Sequence, residues 1–295
     1  MQGVFLPGII PIRGSLHRKP SEAAWFSRRD ADFFVGIFMH FDTAQWALVI
    51  IGAFAVGLSK TGIGGLGVLA VALFASAMPS RESVGVLLPI LISADIIAVA
   101  AYRRHAVWSH LLQLFPWTAL GVVLGCLTMG WIKNDKIITA MIGVILVVLV
   151  LVTLWRRKAG GQPVDSNIIQ SAKPAFKEIF YVACVGILAG FTTMVANAAG
   201  PIMILYFLAA RLPKMEFIGT GAWFFLVLNV FKVPFSYKLH LINTASLPID
   251  CILAPVAMVG AVAGRLLIRF INQALFENIA LALTLLAGIR LLIPH

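Results

Sequence analysis

Charge is what this sequence has least of. Only 12% of its 295 residues are charged, and the acidic sign is the scarcer one, with 12 Asp and Glu against 23 Lys and Arg. Soluble domains carry roughly 25% charged residues. A soluble chain that is 60% hydrophobic, with a mean hydropathy of +0.96, would expose large apolar patches. Disorder and a large soluble head are excluded too, because no polar stretch is long enough to make either. The basic balance implies Lys and Arg in cytoplasmic loops and at anionic headgroups rather than a nucleic-acid partner, since no basic domain lies outside the apolar segments. Cysteine is also scarce. Cys126, Cys184 and Cys251 are odd in number, widely spaced and set in apolar stretches. That excludes a disulfide framework or zinc site and predicts buried thiols packing as small hydrophobes. The histidines (His17, His40, His105, His110, His240 and His295) lack Cys or carboxylate neighbours at metal-ligand spacing. No HExxH, GxSxG, Walker A or dinucleotide-binding context occurs. The expectation is therefore a non-enzyme with no catalytic residues, no metal and no cofactor.

What the sequence has is long apolar runs, and the lipid bilayer is its implied surroundings. At about 20 residues per span, the apolar content allows at most about eight or nine membrane helices. Residues 1–42 form a mixed cytoplasmic or interfacial segment without a signal-peptide core, and Met39 is an alternative start just before the first span. Residues 43–80 carry Lys60 alone, and 82–102 carry Asp95 in mid-span. Residues 111–132 and 137–155 carry no charge and close a first transmembrane repeat, 43–155. A polar linker, 156–177, separates it from a second repeat, 178–295. There, 179–210 is uncharged, 217–237 carries Lys232, and 247–271 and 278–293 follow.

The two halves match residue by residue. Gly57 and Gly190 are 133 apart, as are Ser59 and Thr192, Lys60 and Thr193, and Gly67 and Gly200. At 134, Pro79 matches Pro213, Glu82 matches Glu216, Gly85 matches Gly219 and Asp95 matches Asn229. At 139, Gly121 matches Gly260 and Gly125 matches Gly264, which gives each half a GxxxG helix suited to close packing. Each half opens with a run longer than one span and interrupted by small residues: SKTGIGGLG at 59–67 and TTMVANAAGP at 192–201. Irregular backbone at membrane depth is tolerated only beside protein or a cavity, so the breaks predict a broken or re-entrant helix in each half. The fold class expected is an all-α membrane protein of about eight helices in two tandem four-span repeats.

Positive charges bear on the topology. If each broken segment crosses once, the repeats are parallel and both termini are cytoplasmic, with 14 Lys and Arg inside against 7 outside. If each broken segment returns to its own side, the repeats are inverted and the split is about 10 against 11. The positive-inside rule favours the parallel arrangement.

The runs GLSKTGIGGLGVLAVALFA (57–75) and PSRESVGVLLP (79–89), with GFTTMVANAAGPIMILYFL (190–208) and EFIGTGAWFFLVLN (216–229), resemble the sulfite exporter TauE/SafE family of anion permeases. The likeness spans roughly residues 43–293, although the second break reads VANAAGP where the family is usually Gly-rich. The resemblance implies a multi-pass permease of the bacterial inner membrane for sulfite, organosulfonates or related sulfur anions. The alternatives are a transporter of another small organic anion and a non-transport membrane subunit. Assembly as a homo-oligomer is compatible with each.

An oxyanion needs hydrogen-bond donors and positive potential shielded from lipid. Gly64, Gly65, Gly67 and Gly200 allow close backbone approach at the breaks, or simply tight helix packing. Ser59, Thr61, Thr192, Thr193 and Asn197 bring neutral donors to the same segments, although hydroxyls equally bond their own helix. Lys60 is costly at membrane depth and must face protein, water, substrate or Asp95, unless it snorkels to an interface. Asp95 is either a coupling group or a structural carboxylate, and its mate Asn229 cannot titrate. Glu82 and Glu216 are expected to start helices behind their prolines. The two breaks are expected to face each other near the midplane, with Lys60 and Asp95 on the lining side.

Overall fold

The computed structural model describes residues 41–62, 66–158, 176–210, 212–242 and 246–267, with isolated positions between 282 and 293. Residues 1–40, most of the linker, Gly64 and Gly65 lie outside the described residues, and so does the last expected span apart from those positions.

The described residues form helices and no strand: α1 (Thr43–Thr61), α2 (Leu66–Ala77), α3 (Ser80–Tyr102), a 3-10 turn (Arg103–His105), α4 (Trp108–Trp131), α5 (Asp135–Lys158), α6 (Phe176–Ala196), α7 (Gly200–Ala209), α8 (Lys214–Lys238) and α9 (Leu247–Leu267). Among them, 6 are long and apolar enough to cross a membrane, namely α1, α3, α4, α6, α8 and α9. The 137–155 run lies within one continuous helix, α5.

Local chemistry sets the helix starts. Asp42 Oδ1 accepts from the Gln45 amide at 2.7 Å while Gln45 Oε1 accepts from the Asp42 amide at 2.9 Å, a reciprocal cap on α1. Pro79 and Pro213 cap α3 and α8 with extended backbone, and Glu82 and Glu216 sit in the first turns, where a carboxylate favours the dipole. Both glutamates thus occupy the places their sequence context predicts.

Helix directions follow from contacts between ends. Gln45 Nε2, at the start of α1, donates to the Ala77 carbonyl at the end of α2, at 2.9 Å. The first broken segment is therefore a hairpin that returns to the side from which it set out. The rings of Tyr181 and Tyr206, 6.4 Å apart, bring the start of α6 to the end of α7 in the same way. Tyr102 OH donates to the Thr61 carbonyl, so α1 and α3 finish together. Arg81 Nη1 donates to the Met129 and Ile132 carbonyls, joining the start of α3 to the end of α4.

The closest helix approaches are made through glycine. A Cβ on Gly57 would strike the Ala257 carbonyl and Ala261 amide of α9; one on Gly190 would strike the Thr118 carbonyl and Val122 amide of α4. Gly121 meets Ile187, Gly260 meets Phe54, Gly125 meets Met194 and Gly264 meets Thr61. Along both contacts the residue numbers rise together, so α1 runs parallel to α9, and α4 parallel to α6. Since α4 opposes α3, and α3 matches α1 in direction, α1 and α6 run oppositely. The partners are equivalent as well: 118 and 257, 122 and 261, and 54 and 187 keep the separations of 139 and 133. Pro116 and Pro255 keep the separation of 139.

α3 and α8 are also antiparallel. Gly85 packs on Leu241, and Gly219 packs on Tyr102 and His105. Matching segments of the two halves therefore point in opposite directions, which corrects the parallel arrangement favoured by the charge count. That count assumes a single crossing for each broken segment, and the Gln45–Ala77 bond shows a return. Cysteine burial also differs from expectation: Cys126 and Cys184 are half-buried, and Cys251 is exposed on α9.

Candidate functional site

α3 and α8 cross at the centre of the described bundle, and their polar residues meet there. Asp95, with no solvent exposure, pairs with Lys60 Nζ at 2.9 Å through Oδ1. Its Oδ2 accepts from Asn229 Nδ2 at 2.7 Å. Asn229 Oδ1 accepts from Lys232 Nζ at 3.3 Å, one turn further along α8. Lys232, also buried, donates to Asn197 Oδ1 at 2.6 Å and to Thr193 Oγ1 at 3.2 Å. An unbroken polar chain thus runs from Lys60, at the end of α1, to Thr193 and Asn197, at the end of α6.

Lys60 and Asn197, at the two ends, are held from a second direction. The Lys60 ammonium lies 4.1 Å from the centroid of the Phe225 ring, a cation–π contact that favours a fixed charge where water is scarce. Asn197 Nδ2 donates to the Val84 carbonyl of α3 at 3.0 Å. The Asn197 backbone has φ +51°, the left-handed conformation that asparagine tolerates better than most residues. This single residue turns the chain between α6 and α7 and offers its amide oxygen to Lys232.

Asp95 and Asn229 are sequence mates, 134 apart, and they touch. Equivalent residues of two halves can meet only where the axis relating the halves passes between them. Glycine opens the way to this contact, because the surrounding helices approach at backbone distance along Gly57, Gly190, Gly121 and Gly260.

The expected site residues divide into two groups. Lys60, Asp95, Asn229, Thr193 and Asn197 belong to the chain just described. The hydroxyls of Ser59, Thr61 and Thr192 bond helix carbonyls instead. Ser59 donates to Val56 at 2.7 Å, and Thr192 donates to Leu188 at 2.8 Å. Thr61 donates across to the Ala261 carbonyl of α9 at 2.6 Å, which locks the α1–α9 contact. Gly200 opens α7, and a Cβ added there would find nothing within 4 Å, so its lack of a side chain leaves open space. Gly64 and Gly65 are outside the described residues. The breaks are joined through Asp95 and Asn229, where the sequence leads one to expect them face to face.

Sequence reasoning misses two members. Lys232 is visible as a charge within a span, itself a pointer to function. Its position 134 residues earlier is Ala98, so a search for matched pairs passes over it. Phe225 gives no signal, because one aromatic in an apolar helix is indistinguishable from core.

With both lysines protonated and Asp95 ionised, the chain carries two positive charges and one negative charge. Among the described residues no ion pair involves Lys232; the acceptors bonded to it are all neutral oxygens. A lysine buried within a membrane-spanning helix is a pointer to a functional site.

A family model described as "Sulfite exporter TauE/SafE" matches residues 49–291. No curated protein and no solved structure matches the chain.

Proposed function

The chain belongs to the sulfite exporter TauE/SafE family, and from that premise we propose that it is a secondary transporter of a small sulfur-containing anion, sulfite or an organosulfonate, in the bacterial inner membrane. The family is one of membrane anion permeases, and the proposal adds the substrate and the residues. The observation that carries it is the buried chain Lys60–Asp95–Asn229–Lys232–Asn197, with its excess positive charge. We place substrate along this chain, with Lys60, Lys232, Thr193 and Asn197 as donors and Asp95 and Asn229 as the coupling pair.

The described parts of residues 43–155 and 178–295 act as two halves of opposite direction, related by an axis at Asp95 and Asn229. Halves of this kind rock about a fixed central site in many secondary transporters. Asp95, Asn229 and Lys232 are buried at the middle of the chain, so access to them needs one hairpin to move off α3 and α8. The sequence holds no ATPase motif, so the energy comes from a gradient or from another protein. Thr61, Ser59 and Thr192 keep the helix ends rigid while the hairpins shift.

Uptake of labelled sulfite, sulfate and simple sulfonates into proteoliposomes, with and without a pH gradient, tests the reading. Saturable uptake of a sulfur anion above that of protein-free liposomes supports it. No movement of any of these anions under any gradient would count against the whole class.

A further inference from the structure

The two lysines of the buried chain are not equivalent. Lys60 is neutralised by Asp95 at 2.9 Å. Lys232 sits in a cradle of three oxygens, from Thr193, Asn197 and Asn229. The orientation of both amides in that cradle is fixed from behind. Asn229 must turn its nitrogen to the Asp95 carboxylate, and Asn197 must turn its nitrogen to the Val84 carbonyl. Each is left presenting oxygen to Lys232. Three oxygens can take the three donor protons of an ammonium, and the amide oxygens of Asn197 and Asn229 can only accept. The cradle thus accommodates a charged lysine, and the acceptors bonded to it are neutral.

Resting on the anion-transport reading above, we propose that Lys232 is the substrate-holding cation and that its single uncompensated charge selects singly charged oxyanions over doubly charged ones. The Lys232 bonds to Asn229 and Thr193 are the long ones, at 3.3 and 3.2 Å, against 2.6 Å to Asn197. An incoming anion oxygen replaces these two and leaves Asn197 holding the ammonium in place. One negative charge, as on a sulfonate or on hydrogensulfite rather than the sulfite dianion, brings the chain to neutrality. A dianion leaves one negative charge in surroundings of low dielectric, where an unpaired charge is most costly. Asp95 sets this balance: it cancels Lys60 and so limits the site to one charge.

The test is competition against labelled sulfite uptake in proteoliposomes, with methanesulfonate as the monoanion and sulfate as the dianion. For the unaltered protein, methanesulfonate should compete at least ~10-fold better than sulfate. Asp95→Asn leaves both lysines uncancelled and, in displacement of bound labelled sulfite from purified protein, which needs no coupled transport, should move the ratio at least ~10-fold towards sulfate, a change of preference that lost packing would not produce. Lys232→Met should lose uptake, while Lys232→Arg, which keeps the charge, should retain the monoanion preference. Methanesulfonate competing no better than sulfate, or an unchanged ratio in Asp95→Asn, overturns the inference and leaves the transport reading standing. So does Lys232→Met taking up sulfite with the original preference. Unaltered protein that moves no sulfite overturns both.

Discussion

Breaking the Lys60–Asp95 pair from its two sides should give unequal results, and removing both charges should be milder than removing the lysine alone. Lys60→Met strips the ammonium from a carboxylate with no solvent exposure, leaving it one donor, Asn229 Nδ2 at 2.7 Å. Removing one partner of a buried pair costs about 3–5 kcal/mol, because the surviving charge stays behind. Asp95→Asn is gentler. Lys60 keeps the Phe225 ring at 4.1 Å, a contact worth about 0.5–2 kcal/mol, and with 10% exposure its ammonium can lean towards water. We expect a cost of about 2 kcal/mol for that change. With both charges replaced by neutral groups of similar shape, neither partner is stranded, and such replacements are often close to neutral. The double variant should then cost at least about 2 kcal/mol less than the sum of the singles. Equilibrium unfolding of purified protein in mixed micelles, followed by tryptophan fluorescence, measures all four corners of the cycle. Costs that add to within about 0.5 kcal/mol would show that the two groups do not interact and would refute the reasoning.

Three further outcomes follow from the packing. Gly57→Val and Gly190→Val should each destabilise by about 1–3 kcal/mol or more, since a side chain there meets backbone of the facing helix, whereas Gly200→Ala should be nearly neutral; thermal unfolding in detergent separates them. In a background without native cysteines, Thr43→Cys and Asn134→Cys should be labelled by an impermeant maleimide from one side of the membrane and Arg104→Cys from the other. Labelling of Thr43→Cys and Arg104→Cys from the same side would restore the parallel topology. Asn197→Ala removes a bond to Lys232 and a bond to Val84 and should cost about 1–3 kcal/mol, read by the same unfolding assay.

Much of this is legible in the sequence because membranes simplify it. Long apolar runs mark α1, α3, α4, α6, α8 and α9, and the spacing of glycines marks the close helix contacts before any partner is known. Lys60 and Asp95 stand out because ionisable groups are rare at that depth, and they prove to be paired. Direction is not legible. Whether residues 43–80 cross once or return depends on how α1 packs on α2, through Gly52 against Phe74 and the Gln45 to Ala77 bond, and loop charge cannot report it when the returning arm, α2, is short and uncharged. Hydroxyl roles are hidden for a different reason. Thr61, Thr192 and Thr193 look alike in sequence, yet two bond helix carbonyls and one meets Lys232, a distinction set by the rotation of each helix about its axis. Lys232 escapes because duplication directs the eye to what is shared, while the charge of the site lies in what the halves do not share.

The most direct test of the account is counterflow of labelled sulfite into proteoliposomes preloaded with unlabelled sulfite, for the unaltered protein and for Lys60→Ala at matched protein content. The account predicts accumulation by the unaltered protein and a reduction of at least about tenfold in the variant, since without Lys60 the Asp95 carboxylate cancels Lys232 and the chain loses its excess positive charge. Accumulation by Lys60→Ala equal to that of the unaltered protein, or none by either above protein-free liposomes, would contradict it.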